Sequence, residues 1–187
     1  AHAAGVDPVT FRRNHLKAGS RHLLVLDTVA QRSGWNTPLA TGIGRGVAIV
    51  ESFKTIVAHV IEASVNEDGP PKVHRIFTVV DCGMTVNPNA AAAQIEGGTI
   101  MGLSSAMGET ITLDKGAVQQ TNFTDYPIAK MADTAAEHDI HFIESGAFMG
   151  GIGEPGVPPA APALANALFA ATGKRIRTLP ILTQAKA

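Results

Sequence analysis

A chain of 187 residues can form one compact domain with a sizeable core, or two small ones. Apolar residues make up 45% and charged residues 17%, with a formal net charge of -1, which argues against disorder and leaves no basic footprint for nucleic acid. No apolar run approaches the roughly 18 residues of a membrane span. A single cysteine, Cys82, excludes an internal disulfide and a cysteine-ligated iron–sulfur cluster within the chain. The start, "AHAAGVDPVTF", has neither the charged segment nor the apolar run of a signal peptide, which leaves bacterial cytoplasm and periplasm both open. It begins as if at the end of a helix, so the chain reads as a piece of something longer or one subunit of a divided protein.

In "DPVTFRRNHL" (7–16), Asp7 is a natural helix cap and Pro8 suits the first helical position. "SRHLLVLDTVAQRSG" (20–34) repeats the pattern, with Ser20 as cap and Gly34 as stop. These two helices are expected to form a hairpin, followed by a turn-rich linker at 35–44. The texture then changes. "RGVAIVESF" (45–53), "TIVAHVIEASV" (55–65) and "KVHRIFTVVDCG" (72–83) are rich in Val and Ile and predict a meander, with a turn at 66–71. A helix is predicted over 87–109, capped by Asn87 and carrying Gly97 and Gly98 in its interior. Each glycine costs about 1 kcal/mol there relative to alanine, so something should approach the backbone at that point. A hairpin turning at Asp114-Lys115-Gly116, a strand at 138–145, a helix at 158–173 and a last short strand at 175–181 complete the reading. The predicted class is α+β, a mostly antiparallel sheet with packed helices, divided into a helical hairpin with linker (1–44) and a larger portion (45–187).

Three motifs read as structural. "GLSSA" (102–106) echoes a nucleophile elbow, but its serines fall inside a helix and no Asp or His completes a triad. His138 and His141 lie three apart on a strand, so they face opposite sides and form no metal pair. Cys82 reads as a small buried hydrophobe.

"GGIGEPGVPPAAPALANALFAATGK" (150–174) is different, because it places one carboxylate, Glu154, among glycines and prolines just before an apolar helix. One reading is an acid that favours the positive end of that helix. The other is a rigid loop that presents a general base to a bound ligand. The loop does not match the phosphate-binding signatures of ordinary nucleotide sites. Spacing alone leaves both readings open.

The segment "GGIGEPGVPPAAPALANALFAATGKRIRTLP" resembles the C-terminal signature of the molybdenum hydroxylases, the family of xanthine dehydrogenase and the aldehyde oxidoreductases. "VVDCGMTVNPNAAAAQIEGGTIMGLSSAMGE" and "QTNFTDYPI" resemble two further blocks of that family, in the same order. The N-terminal part, with "RHLLVLDTVAQRSGW" and "GRGVAIVESF", is similar to the branch typified by the isoquinoline 1-oxidoreductase beta subunit.

The resemblance implies the second half of a molybdopterin-binding domain of the aldehyde oxidoreductase type. Its cofactor would be molybdenum on molybdopterin cytosine dinucleotide. Glu154 would be the general base in the oxidation of an N-heterocycle or aldehyde with water as oxygen source. Gln94, Gly97 and Gly98 would lie against the pterin dinucleotide, and Gly151 and Gly153 would shape the loop at the metal. Electrons would leave through iron–sulfur clusters on a [2Fe-2S] partner subunit. The family's upstream cofactor segments are missing from this sequence, so the remainder of the molybdopterin-binding subunit is an expected partner, and the isolated chain is expected to be inactive. The bulk of Phe148 and Met149 just before the loop would narrow the substrate pocket. A non-catalytic structural or assembly domain of the same fold is the alternative. The presence of both Glu154 and Gln94 favours the enzyme.

Overall fold

The computed structural model describes residues 1–66 and 70–181. Helix α1 (Pro8–His15) is capped by Asp7, whose carboxylate accepts from the Thr10 amide. Helix α2 (Arg21–Arg32) is capped by Ser20 in the same way through Leu23. Strands β1 (Ile43–Ser52), β2 (Thr55–Ser64) and β3 (Lys72–Asp81) form the expected antiparallel meander. Of the turn expected at 66–71, residues 67–69 lie outside the described ones. Helix α3 (Pro88–Met107) follows, then the short hairpin of β4 (Leu113–Asp114) and β5 (Ala117–Val118). Strand β6 (Glu137–Phe142) returns to the sheet beside β3, giving the order β1-β2-β3-β6. The β3–β6 pair is parallel, because the chain crosses the sheet through α3 before it comes back. Helix α4 (Ala160–Thr172) closes the fold.

Alternation along the central strands sorts the core into two layers. Ala58 and Val60 of β2 and Phe77 and Val79 of β3 pack with Val25, Leu26 and Val29 of α2. Ile61 and Ala63 of β2 and Ile76 of β3 point the other way, onto Leu103 of α3 and Ala163, Leu164, Ala167 and Leu168 of α4. The sheet is therefore covered by helices on both faces, which is why β2 is buried continuously from Thr55 to Ala63 rather than on alternate residues. Among the described residues no helix is long and apolar enough to cross a membrane.

The closeness of α4 to β1 rests on absent side chains. A Cβ at Gly46 would lie 2.2 Å from the Ala167 nitrogen and 2.3 Å from the Ala163 oxygen, and one at Gly44 would lie 2.0 Å from the Ala167 oxygen. The helix sits directly on the strand backbone through its alanines.

The segment at 175–181 is not a strand. It runs irregularly along the core, with Ile181 buried and Ile176 partly so, each packed singly against the α4 layer. Pro180 has no N–H to give to a ladder, and the peptide before it is cis.

The serines of "GLSSA" are structural. Ser104 and Ser105 both donate to the Glu109 carboxylate, which also accepts from the Tyr126 hydroxyl at 3.0 Å. Ser104 Oγ in turn accepts from the Ala129 amide. This knot fastens the 109–131 segment to the end of α3.

Candidate functional site

The loop that carries Glu154 lies where the C-terminal ends of the parallel strands β3 and β6 meet the β1–β2 turn, the side of an open sheet on which ligands are commonly held. Three neighbours stitch it down. The Gly150 amide donates to the Cys82 carbonyl and the Gly151 amide to the Phe53 carbonyl, both at 2.9 Å. The Thr55 hydroxyl donates to the Gly151 carbonyl at 2.6 Å. A Cβ at Gly150 would stand 2.4 Å from Thr55 Oγ1 and 2.8 Å from the Lys54 carbonyl carbon, so only glycine lets the two turns touch.

The β3 end is itself held by an ion pair. Asp81 is fully buried and takes two hydrogen bonds from Arg21, from Nε at 2.8 Å and from Nη2 at 2.9 Å. It also accepts from Ser145 Oγ and the Gly83 amide. Burial alone pushes the Asp81 carboxyl up, but the Arg21 guanidinium, Ser145 and Gly83 together hold it below the usual range.

Of the expected site residues, Gln94 and Gly153 border an open cleft of about 450 Å³, together with Asn87, Ala90, Met149 and Gly150; Glu154, Gly97, Gly98 and Gly151 do not line it. Gln94 Nε2 donates to the Gly153 carbonyl at 2.5 Å, which ties α3 to the loop directly before Glu154. Glu154 itself is exposed, and its carboxylate makes no hydrogen bond or ion pair with the described residues. Gly151 and Gly153 are also exposed; a Cβ on Gly151 would meet the Phe53 side chain at 3.0 Å, whereas Gly153 faces open space.

Gly97 and Gly98 of α3 have separate surroundings. Gly97 is exposed with nothing within 4 Å of its Cβ position, on the same side as Gln94. Gly98 is buried, and its Cβ would rest at 3.5 to 3.7 Å on Val157 and Gly156 of this chain's own loop. The tightest approach lies one turn on, at Gly102, where a Cβ would be 2.7 Å from the Val157 oxygen. Cys82 is buried, as its sequence setting suggests. No cluster of metal-ligating side chains occurs among the described residues.

Sequence reasoning missed His59. It sits in the middle of β2, with no exposed surface, among Val and Ile. Its Nε2 lies 2.9 Å from the Gly156 carbonyl and its Nδ1 2.9 Å from Thr78 Oγ1, which in turn is 2.8 Å from His138 Nε2. Nothing in the one-dimensional pattern marks it, because its partners Thr78, Thr99 and Gly156 lie 19, 40 and 97 positions away. His138 is thus an inward structural histidine.

Burial pushes both imidazoles down from 6.5 to about 4; a charge on His138 would lower His59 further, while Asp139 works against the shift at His138. The unfolded chain binds these protons near 6.5 and the folded chain only near 4. Stability is therefore complete above about 6.5 and falls as the pH drops through that window. The slope is about 1.4 kcal/mol per pH unit for each histidine. Melting of the assembled protein between pH 7 and pH 5, above the carboxylate range, should show a falling midpoint. A flat profile there would refute the buried neutral pair.

With this geometry in place, the comparisons define the class. The family profile described as "Molybdopterin cofactor-binding domain" matches residues 30–135, and the chain belongs to that family. It is 36% identical over 185 residues to the beta chain of isoquinoline 1-oxidoreductase from Brevundimonas diminuta, covering 97% of this chain and 24% of that protein. It is 31% identical to one of the subunits of nicotinate dehydrogenase from Pseudomonas putida, covering 98% of this chain and 17% of that protein. Among solved structures, quinoline 2-oxidoreductase from Pseudomonas putida 86 superposes with a TM-score of 0.63 at 25% identity, over 68% of this chain and 17% of that one. The chain thus spans a quarter or less of the length of these relatives.

The residues present fit a pterin cofactor on one side. The Asn87-capped start of α3 opens at the cleft; Pro88 has no N–H and the Ala90 and Ala91 amides go to Asn87, which leaves the Asn89 N–H of that first turn for an anionic group. Gln94 retains a carbonyl and a second N–H beyond the one given to Gly153. Gly97 has open space on its exposed side.

Proposed function

We propose that this chain is part of a molybdenum-dependent hydroxylase that oxidises an N-heterocycle or an aldehyde, with water as the oxygen source. The names of the relatives point to this substrate class: isoquinoline, nicotinate and quinoline are all N-heterocycles. The cofactor is molybdenum on molybdopterin cytosine dinucleotide, shared with the remainder of the molybdopterin-binding subunit, and a [2Fe-2S] partner takes the electrons. When bound, the molybdenum pterin supplies the two-electron acceptor that this chain's own side chains lack.

The chain's residues position and deprotonate. Glu154 takes up, at a carboxylate oxygen, the proton released as oxygen from water is transferred to the substrate carbon. Gln94 holds the loop through the Gly153 carbonyl and turns its remaining polar atoms to the cofactor. Phe148, Met149 and the Phe53 turn, all exposed beside the loop, exclude water from one side of the substrate. The observation that carries the reading is the exposed carboxylate of Glu154 on a loop fastened through backbone groups of Gly150, Gly151, Gly153 and Gly156. A structural domain has no use for an unpaired acid so held.

Gly97 and Gly98 of α3 test the cofactor wall. Gly97→Ala places a methyl group on the exposed side beside Gln94 while favouring the helix by about 1 kcal/mol. Molybdenum content of the assembled protein, measured per mole of complex, should fall with no loss of folded protein. Gly98→Ala meets only ordinary contact with Val157 and should load metal normally. Equal loading in Gly97→Ala and the wild type would remove this face of α3 from the cofactor site.

A further inference from the structure

Glu154 sits between two carbonyls that are each held by a side chain from elsewhere in the fold. Gln94 holds Gly153 on one side. On the other, His59 Nε2 is 2.9 Å from the oxygen of Gly156, two residues past the acid. Between them the Val157 amide closes a turn onto the Glu154 carbonyl at 2.9 Å. Gly156 is also pressed on α3, since a Cβ there would be 2.8 Å from the Ile95 oxygen. The distance between the His59 and Gly156 anchors and the reacting acid is therefore short and stiff.

The direction of every hydrogen bond in this chain of groups follows from the Gly156 carbonyl, which can only accept. His59 is neutral at ordinary pH, because full burial pushes its imidazole down to about 4. It has one N–H, and that proton is on Nε2, facing Gly156. Nδ1 must then accept, and the Thr78 hydroxyl donates to it at 2.9 Å. The Thr78 oxygen is left to accept from His138 Nε2–H at 2.8 Å. Thr99 completes the cage: its hydroxyl donates to the Ile95 carbonyl at 2.8 Å, and its oxygen stands 3.3 Å from His59 Nε2. The polar groups of His59 are all engaged in a place lined by apolar residues. An apolar residue would fill the same strand position without needing any of these partners, so packing alone does not account for a histidine there.

The geometry points to His59 as a positioning residue that sets the attitude of the Glu154 loop through the Gly156 carbonyl, with Thr78 and His138 holding the other side of its ring. This rests on Glu154 being the base, and it adds a residue of the sheet core to the machinery of that site.

The test uses the assembled holoenzyme with isoquinoline as probe substrate. His59→Leu removes the donor, and His59→Gln restores an N–H at about the position of Nε2. In His59→Leu, amide exchange of Val157 and its neighbours over 153–159 should accelerate at least about tenfold while exchange in β2 and β3 stays native, and kcat should fall about 10- to 100-fold with KM nearly unchanged. His59→Gln should recover most of both. Native exchange over 153–159 together with native kcat in folded His59→Leu overturns the proposal. Should His59→Leu fail to fold, Thr78→Val takes its place: it removes the hydroxyl that donates to Nδ1 and should show the same signature in weaker form, and a native exchange pattern and kcat there overturn it equally. Glu154→Gln run in parallel separates the two readings. If that variant turns over while the His59→Leu loop exchanges fast, the base assignment falls and the loop anchor stands.

Discussion

Glu154→Gln in the assembled enzyme is expected to abolish turnover while the protein stays folded and loaded with metal. The substitution keeps the size of the side chain and replaces a proton acceptor by an amide. Because the carboxylate is exposed and makes no hydrogen bond or ion pair with the described residues, stability should change by no more than about 0.5 kcal/mol. Loss of a general base typically costs about 10²–10⁴-fold in rate. The loss here should lie at the upper end or beyond, since the residues that line the neighbouring cleft include no carboxylate to substitute. Three measurements decide it: steady-state hydroxylation, molybdenum content and the melting midpoint. Activity above about a tenth of wild type with normal metal content would remove Glu154 from the role of base.

Gly46→Ala should unfold the layer that carries the site. The added methyl group would stand 2.2 Å from one backbone atom of α4 and 2.3 Å from another, so no side-chain rotation can relieve it. The helix must lift off β1, which opens the packing of Ala163, Leu164, Ala167 and Leu168 against the sheet. Overpacking typically costs about 1–3 kcal/mol, and a backbone-on-backbone clash belongs at or above the top of that range. The Asn166 Nδ2 bond to the Val47 carbonyl would be lost with the same movement. Gly42→Ala makes the comparison. Gly42 lies just before β1 in open space with φ +85, so alanine there meets only left-handed strain of about 1–2 kcal/mol. Denaturant midpoints of the two variants should differ clearly. If Gly46→Ala proves as stable as Gly42→Ala, α4 does not rest on the strand as closely as described. Because α4 begins six residues after Glu154, the displacement should also move the loop that carries this acid.

The elements most legible in the sequence were those whose cause is local. Asp7, Ser20 and Asn87 satisfy the first N–H groups of their helices from within three residues, and all three caps form as expected. The turn at Lys115-Gly116 needs two left-handed residues and has them, with φ of 47 and 84. The last strand expected at 175–181 failed for a reason that is not local: its two isoleucines are taken up one at a time by the α4 core, and no free strand edge is required of them. Gly44 and Gly46 gave no usable signal either, because the need for glycine in β1 arises from alanines more than 115 positions away in α4.

The site divides along the same line. By itself the sequence determined that Glu154 would stand on a shaped, glycine-rich loop before a helix, since glycine, proline and one acid in that order leave the backbone few other choices. It also carried the blocks that mark the family. Only the tertiary structure decided how that loop is held. Arg21 and Asp81, Gln94 and Gly153, and His59 and Gly156 are pairs separated by 59 to 97 residues. Two of them, Arg21–Asp81 and His59–Gly156, place a polar group where water cannot reach it freely. A buried polar group must find a partner, and in a folded chain that partner is fixed by which elements the core brings face to face rather than by its place in the sequence.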